Sequence, residues 1–255
     1  MLPKKHFGQN FLTSIPARIA IVKAGDIVTT DTILEIGPGK GFLTQELLTT
    51  GAHIIALEKD VELLPLLKEM FSHYKNFTLV EGDALTYIPP KKYKIIANIP
   101  YYITGAILSH YLSCAYQPET MVVLVQKEVA ERVVDTKESI LSLSVKAYGT
   151  PKIVYRVNKG SFNPAPSVDS AVLKIENISR NNFINQNHET TFFKIIKQGF
   201  AHKRKYLLSN LRELFPKSTL ETLFEELFIS SKARAEEIPL SIWLLLSQKL
   251  TTGAT

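Results

Sequence analysis

Thr32-Ile33-Leu34-Glu35-Ile36 runs directly into Gly37-Pro38-Gly39-Lys40-Gly41, and these ten residues decide the fold. The first five carry the β-branched, apolar character of a buried strand. After the glycines, Phe42, Leu43, Leu47 and Leu48 recur at the spacing of one helix face. Strand, glycine turn and helix in this order open an α/β sheet of the nucleotide-binding kind. Glycine is needed in such a turn because backbone must approach a ligand closely and adopt positive φ. The next apolar strand, His53 to Leu57, ends at Glu58, 21 positions after Gly37. A carboxylate at that place accepts hydrogen bonds from both hydroxyls of a ribose.

A dinucleotide site shares these features, and the details separate it. Its fingerprint is G-x-G-x-x-G, whereas here the glycines fall at 37, 39 and 41 and position 42 is Phe. A third strand, Phe77 to Val80, leads into Glu81-Gly82-Asp83-Ala84, where Asp83 suits an adenine amine rather than a second phosphate. No second glycine turn or basic residue is placed to hold a pyrophosphate. The pattern therefore favours S-adenosylmethionine over NAD; a Rossmann-like domain without cofactor is the plain alternative.

Farther along stands Asn98-Ile99-Pro100-Tyr101. Asn-x-Pro-Tyr answers a chemical problem, since the lone pair of an exocyclic ring amine is delocalised and attacks poorly. The Asn98 side-chain oxygen and the Ile99 carbonyl can accept both amine hydrogens and draw the nitrogen towards a tetrahedral shape. Pro100 biases Ile99 towards extended backbone, and Tyr101 offers a face on which a base can stack. The plain alternative is a polar turn at a strand end.

The chain has 255 residues, 45% of them hydrophobic, enough for one α/β core and a small appended domain. The formal charge is +6, which fits a polyanionic partner without requiring one. Residues 192–212 hold Lys194, Lys197, Lys203, Arg204, Lys205 and Arg212 with no acid among them, and the first 23 residues hold Lys4, Lys5, Arg18 and Lys23, again without an acid. We read Lys203-Arg204-Lys205 as RNA-binding, against the alternative of a solvated helix face. The interspersed Phe192, Phe193, Phe200 and Tyr206 read as the core face of an amphipathic helix.

Cys114 is the only cysteine, which excludes an internal disulfide scaffold or a cysteine zinc site. It reads as a buried structural thiol. The histidines lack metal-ligand spacing, so no metal is expected. Neither a signal-peptide core nor an apolar run of membrane-spanning length is present, and the expectation is a cytoplasmic protein with no membrane partner.

Strand–helix alternation runs to about Tyr116, followed by a buried strand Met121 to Val125, a helix Ile140 to Tyr148, and strands Lys152 to Val157 and Ser170 to Glu176. Residues 177–190 are Asn-rich and make the linker candidate, and a helical pattern follows from Thr191. The expected division is an S-adenosylmethionine-binding α/β domain over residues 1–180 and an all-helical C-terminal domain over 181–255.

The chain resembles the rRNA adenine N6-dimethyltransferase family, most closely its KsgA-type small-subunit branch. The matching segments are Phe7-Gly8-Gln9-Asn10-Phe11-Leu12, the glycine turn, Glu58, Asp83, Asn98 to Tyr101, Gln126 to Arg132, Phe162 to Val172 and Arg234-Ala235-Glu236. The resemblance implies a Rossmann-like seven-stranded methyltransferase domain. Asn10, Leu12, Gly37, Gly39, Gly41, Glu58, Asp83 and Asn98 would hold S-adenosylmethionine, and Tyr101 and Phe162 would clamp the target adenine. It further implies methylation of adenosines in 16S rRNA within a 30S subunit or its precursor, by a monomer. One departure is Tyr102-Ile103-Thr104, where many members have Asn-Ile-Ser; Thr104 is expected to keep a hydroxyl helix cap. The alternatives are a large-subunit rRNA methyltransferase of the antibiotic-resistance type, a DNA adenine methyltransferase, and a non-catalytic assembly factor on the same fold. Val168-Asp169-Ser170-Ala171-Val172 and Phe7-Gly8-Gln9 lean to the small-subunit branch. The DNA enzyme would need a separate DNA-reading domain. A pure binder would need neither Asn98, Glu58 nor Asp83.

Overall fold

The computed structural model describes residues 10–252. The expectations placed on Lys4, Lys5 and Phe7-Gly8-Gln9 lie outside them. The described residues form two compact units, one of residues 10–131 with 150–178 and one of residues 132–149 with 179–252.

In the first unit a short strand β1 (Phe11–Leu12) precedes helix α1 (Ile15–Ala24). Alternation then gives β2 (Thr32–Ile36), α2 (Phe42–Leu48), β3 (His53–Glu58), α3 (Leu64–Phe71), β4 (Phe77–Glu81), β5 (Lys94–Asn98), α4 (Thr104–Ser113), β6 (Met121–Gln126) and α5 (Lys127–Val134), of which residues 127–131 belong to this unit. The unit closes with β7 (Thr150–Val157), β8 (Phe162–Asn163) and β9 (Ser170–Glu176). Seven strands form one sheet in the order β4-β3-β2-β5-β6-β9-β7, with β9 antiparallel to both neighbours. The near-continuous apolar character of β2, β5 and β6 follows from being covered on both faces; Ile33, Leu34, Ile95, Ile96 and Val122 to Val125 are fully buried.

The chain steps from β2 to β3 and β4 on one side, then returns to β5 and β6 on the other. The order reverses at β2 and β5, so a crevice opens past their carboxyl ends, the usual ligand position in an open α/β sheet. Phe11 and Leu12 pair antiparallel with Asn163 and Phe162 as a separate two-stranded ribbon.

The helical unit contains α6 (Ile140–Lys146), α7 (Gln186–Gly199), α8 (Leu207–Leu211), α9 (Lys217–Glu226) and α10 (Leu240–Thr252). It has its own core, in which Trp243, Phe192, Leu207, Leu211, Leu220 and Leu246 are buried. Gly199 lets Trp243 close on α7, because a Cβ there would stand 2.5 Å from the indole ring. The stretch 132–149, assigned to the first domain from sequence, belongs to this unit: Leu143 and Ala147 enter its core, and Tyr148 stacks on Phe193 with centroids 5.7 Å apart. A single cut near residue 180 therefore does not describe the organisation.

Three local expectations are corrected. Cys114 is half-exposed just past the end of α4, where its thiol faces the Tyr116 carbonyl at 2.9 Å. Thr104 does not cap α4; it is the helix's first residue, and its buried hydroxyl has no partner among the described residues. Of the aromatics between 192 and 206, Phe192 is core and Phe193 and Phe200 pack against it, but Tyr206 is 44% exposed.

Candidate active site

Past the carboxyl ends of β2 and β5 lies a cavity of about 470 Å³. Its wall includes Gly37, Gly39, Gly41, Glu58, Asp83, Asn98, Ile99, Pro100 and Tyr101, with Asn10 and Leu12 from the N-terminal segment. Eleven sequence-selected positions thus converge from elements spread over residues 10–101.

The glycine turn is set by backbone conformation. Gly37 has φ +68°, and a Cβ built on it would meet nothing within 4 Å, so its missing side chain leaves ligand space open. Gly41 has φ +79° and its Cβ would stand 2.4 Å from the Phe71 ring, so glycine there lets α3 close on the turn.

Glu58 closes one side. One carboxylate oxygen accepts the backbone N–H of Gly39 at 3.1 Å and the other that of Asp60 at 2.8 Å. Each oxygen keeps a further lone pair, so the group is fixed and still able to accept. Burial pushes its pKa up, and the backbone N–H donors oppose that.

Glu35, one strand away, also lines the cavity at 1% exposure and was not selected from sequence. The Thr44 hydroxyl donates to its carboxyl at 2.7 Å. Burial and the nearby Glu58 push its pKa up to about 8, against the Thr44 hydrogen bond. The signal that marks Glu35 is a lone acid in the otherwise apolar run 33–36.

Asp83 is engaged. Lys59 donates to one of its oxygens at 2.8 Å, and the Leu85 N–H to the other at 2.9 Å. The Lys59 hydrogen bond holds the Asp83 carboxyl below the usual range. The β3–β4 register, with Glu58 opposite Glu81, carries Lys59 and Asp83 to adjacent strand exits.

On the other side, the Asn98 amide donates to the Asn10 carbonyl at 3.3 Å. A carbonyl only accepts, so the contacting atom is the amide nitrogen, and the Asn98 oxygen stays an acceptor. Tyr101 belongs to a single 3₁₀ turn after Pro100, and its hydroxyl shares a 2.7 Å hydrogen bond with that of Ser170. That bond fixes the ring orientation at the cavity wall.

Phe162 departs from expectation. It is 5% exposed, pairs with Leu12 in the ribbon and packs with Leu12, Ala17 and Ile21 in the core. Its neighbour Asn163 lines the cavity, and Phe162 does not.

A sequence model described as "Ribosomal RNA adenine dimethylase" matches residues 2–252. The chain belongs to the ribosomal RNA adenine dimethylase family. Its relatives include the ribosomal RNA small subunit methyltransferase A of Dehalococcoides mccartyi (strain CBDB1), 40% identical over 94% of this chain and 86% of that protein. The protein of the same name from Synechococcus sp. (strain JA-3-3Ab) is 38% identical over 97% of this chain and 93% of its own. Among solved structures, a dimethyladenosine transferase from Plasmodium falciparum superposes with a TM-score of 0.80 at 26% identity, covering 95% of this chain and 98% of that one. The 23S rRNA methyltransferase ErmE superposes with a TM-score of 0.78 at 24% identity, covering 94% and 99%, and supports the fold alone. The family's members are methyltransferase enzymes, and the seven-stranded Rossmann-like sheet is their fold.

In the helical unit, Lys203, Arg204 and Lys205 occupy an exposed turn between α7 and α8 rather than a helix face. They form no ion pair among the described residues. Arg18, counted among the basic N-terminal residues, is neutralised by Glu46 at 3.0 Å and lies over the Phe42 ring. Among the described residues, no group of histidine, cysteine and acidic side chains could hold a metal ion, and no helix is long and apolar enough to cross a membrane.

Proposed function

We propose that this chain transfers methyl groups from S-adenosylmethionine to the N6 amine of adenosines in 16S rRNA, twice per adenosine, giving N6,N6-dimethyladenosine in a 30S subunit or its precursor. The protein acts as a monomer in the cytoplasm. The observation that carries the reading is one cavity lined by the glycine turn, Glu58, Asp83 and the Asn98–Tyr101 segment, in a chain of this family.

Open space over Gly37, the fixed carboxylate of Glu58 and the acceptor Asp83 fit a nucleoside joined to a short charged chain. When bound, S-adenosylmethionine supplies an activated methyl group on a good leaving group. Glu58 would accept the ribose hydroxyls and Asp83, beside Lys59, the adenine amine, and Asn10, Leu12, Gly39 and Gly41 complete the wall.

The Asn98 oxygen and the Ile99 carbonyl accept the hydrogens of the target amine and localise its lone pair. With the methyl donor bound, the amine would gain a carbon–nitrogen bond as the donor's carbon–sulfur bond breaks, and one amine proton would pass to water. Tyr101 stacks on the target base, a contribution of about 1–3 kcal/mol, which offsets the few kcal/mol needed to unstack it. Stacking is assigned to Tyr101 alone, since Phe162 is a core residue. Catalysis then rests mainly on alignment and fixed dipoles. Lys203, Arg204 and Lys205 bind RNA phosphates.

Incubation with methyl-labelled S-adenosylmethionine and separated 30S and 50S particles tests this. Label should enter the 30S RNA. Label confined to 50S particles would move the assignment to the large subunit.

A further inference from the structure

Phe228 breaks a local rule with no packing to compensate. It follows α9 in a left-handed conformation, φ 54°, and its side chain is 96% exposed. The surrounding hydrogen bonds are those of a Schellman cap: Phe228 N–H to the Glu225 carbonyl at 3.2 Å and Ile229 N–H to the Phe224 carbonyl at 2.7 Å. Glycine is favoured at that position because it carries no Cβ penalty. A bulky residue there is a conformational outlier, and outliers of this kind cluster at functional sites.

The surroundings indicate what the ring meets. The chain after Phe228 turns through Ser230, whose carbonyl accepts from Ala233 at 2.9 Å; the Ala233 carbonyl then accepts from Leu207 N–H at 2.8 Å. That bond ties the Phe228 loop to the end of the Lys203-Arg204-Lys205-Tyr206 segment. Lys203, Arg204, Lys205 and Lys232 are exposed and form no ion pair among the described residues, whereas Lys217 and Lys249 are paired with Glu221 and Glu226. Of the acids near the loop, Glu226 is held by Lys249, and Glu237 accepts the Arg234 N–H. Glu225 and Glu236 are exposed acids of the same stretch without an ion pair among the described residues, so the excess positive charge is local to Lys203, Arg204, Lys205 and Lys232, beside two exposed rings, Phe228 and the 44% exposed Tyr206. The flanking Leu227 and Ile229 pack against the helical core, and the chain beyond them is polar at Ser230 and Ser231.

We propose that Phe228 is a stacking platform for an unpaired base of the RNA whose phosphates are held by Lys203, Arg204, Lys205 and Lys232, an inference that rests on the RNA-binding reading of this surface. Aromatic side chains interleaved with cations bind unpaired nucleotides in this way, and every base presents a face. Glycine at position 228 would relieve the backbone but remove the platform.

The test uses the full chain with unmethylated small-subunit particles. Phe228→Leu keeps an apolar side chain and removes the aromatic face. Its dissociation constant should rise about 5- to 150-fold, the range of one base–aromatic stack, with an unchanged slope of log affinity against log salt. Phe228→Gly should show the same loss with a raised melting temperature, which excludes misfolding as the cause. Phe228→Trp should keep affinity within about twofold, and single-stranded oligouridylate should quench its fluorescence over the constant signal of buried Trp243. Parental affinity in Phe228→Leu overturns the proposal. So does lost particle affinity without quenching by oligouridylate, which would assign the ring to a protein surface. Lys203, Arg204 and Lys205 changed together to Gln serve as the parallel control. If that variant also binds as the parent does, the RNA-binding reading of the surface fails as well; if it alone loses affinity, only the stacking inference falls.

Discussion

The Asn98 side chain donates to the Asn10 carbonyl at 3.3 Å, joining the end of β5 to the segment that leads into β1. That bond fixes the amide so that its oxygen, not its nitrogen, remains to accept the hydrogens of an incoming amine. Asn98→Ala should therefore abolish transfer while leaving particle binding nearly intact, because the side chain acts on the amine and not on phosphates. Single-turnover transfer at saturating particle checks this. A rate above about a tenth of the parent's (roughly 1.4 kcal/mol of barrier) would remove Asn98 from the chemistry.

Glu58 binds the Gly39 N–H and faces the cavity, so it joins the glycine turn to the proposed ribose site. Glu58→Ala should weaken S-adenosylmethionine binding by about 1.5–3 kcal/mol, the range for hydrogen bonds to a charged group. In calorimetric titration this is roughly a 10- to 150-fold rise in dissociation constant. An unchanged constant contradicts the ribose assignment.

Glu35 sets a pH dependence of stability. Its pKa stands at about 8 in the folded chain against an ordinary 4.5, because burial and Glu58 disfavour its charge. The folded chain thus keeps a proton that the unfolded chain releases above about pH 4.5. Stability from this group is fully present at lower pH and is lost as pH rises through about 8. Glu35→Gln keeps an acceptor for Thr44 and removes the titration. Urea unfolding at pH 5 and pH 8.5 should show the parent losing on the order of 3–5 kcal/mol more than the variant. Parallel losses in the two proteins would contradict the assignment.

Lys203, Arg204 and Lys205 protrude from an exposed turn without acidic partners among the described residues. Changing all three to Gln should weaken particle binding and flatten the slope of log affinity against log salt by about two to three units. Affinity for S-adenosylmethionine should stay fixed, since none of the three lines the cavity. An unchanged slope would return the run to a merely solvated turn.

Much of this site was legible because its chemistry needs particular residue types at strand ends. The β2 strand with its glycine turn, the acid ending β3, Asp83 after β4 and Asn98 ending β5 each sit where a parallel sheet directs its carboxyl ends. Strand spans were legible for the same reason: Ser170–Glu176 emerges with its expected bounds. What escaped depended on pairing between distant segments. Phe162 reads as a binding aromatic, but its side chain is buried in the core of the first unit. Residues 132–149 continue an α/β pattern in sequence, yet Leu143 and Ala147 complete the helical core. Lys59 on Asp83 follows from the β3–β4 register, which spacing alone does not specify. Phe228 stands where helix-capping chemistry calls for glycine, a conflict visible only once the end of α9 is placed.

The most direct measurement is nucleoside analysis by mass spectrometry of 16S rRNA from unmethylated small-subunit particles, after incubation with the protein and S-adenosylmethionine. The account predicts that N6,N6-dimethyladenosine accumulates with the parent chain and is absent with Asn98→Ala. Methylation at ribose, at a ring carbon or on another base, or equal dimethylation by Asn98→Ala, would contradict it.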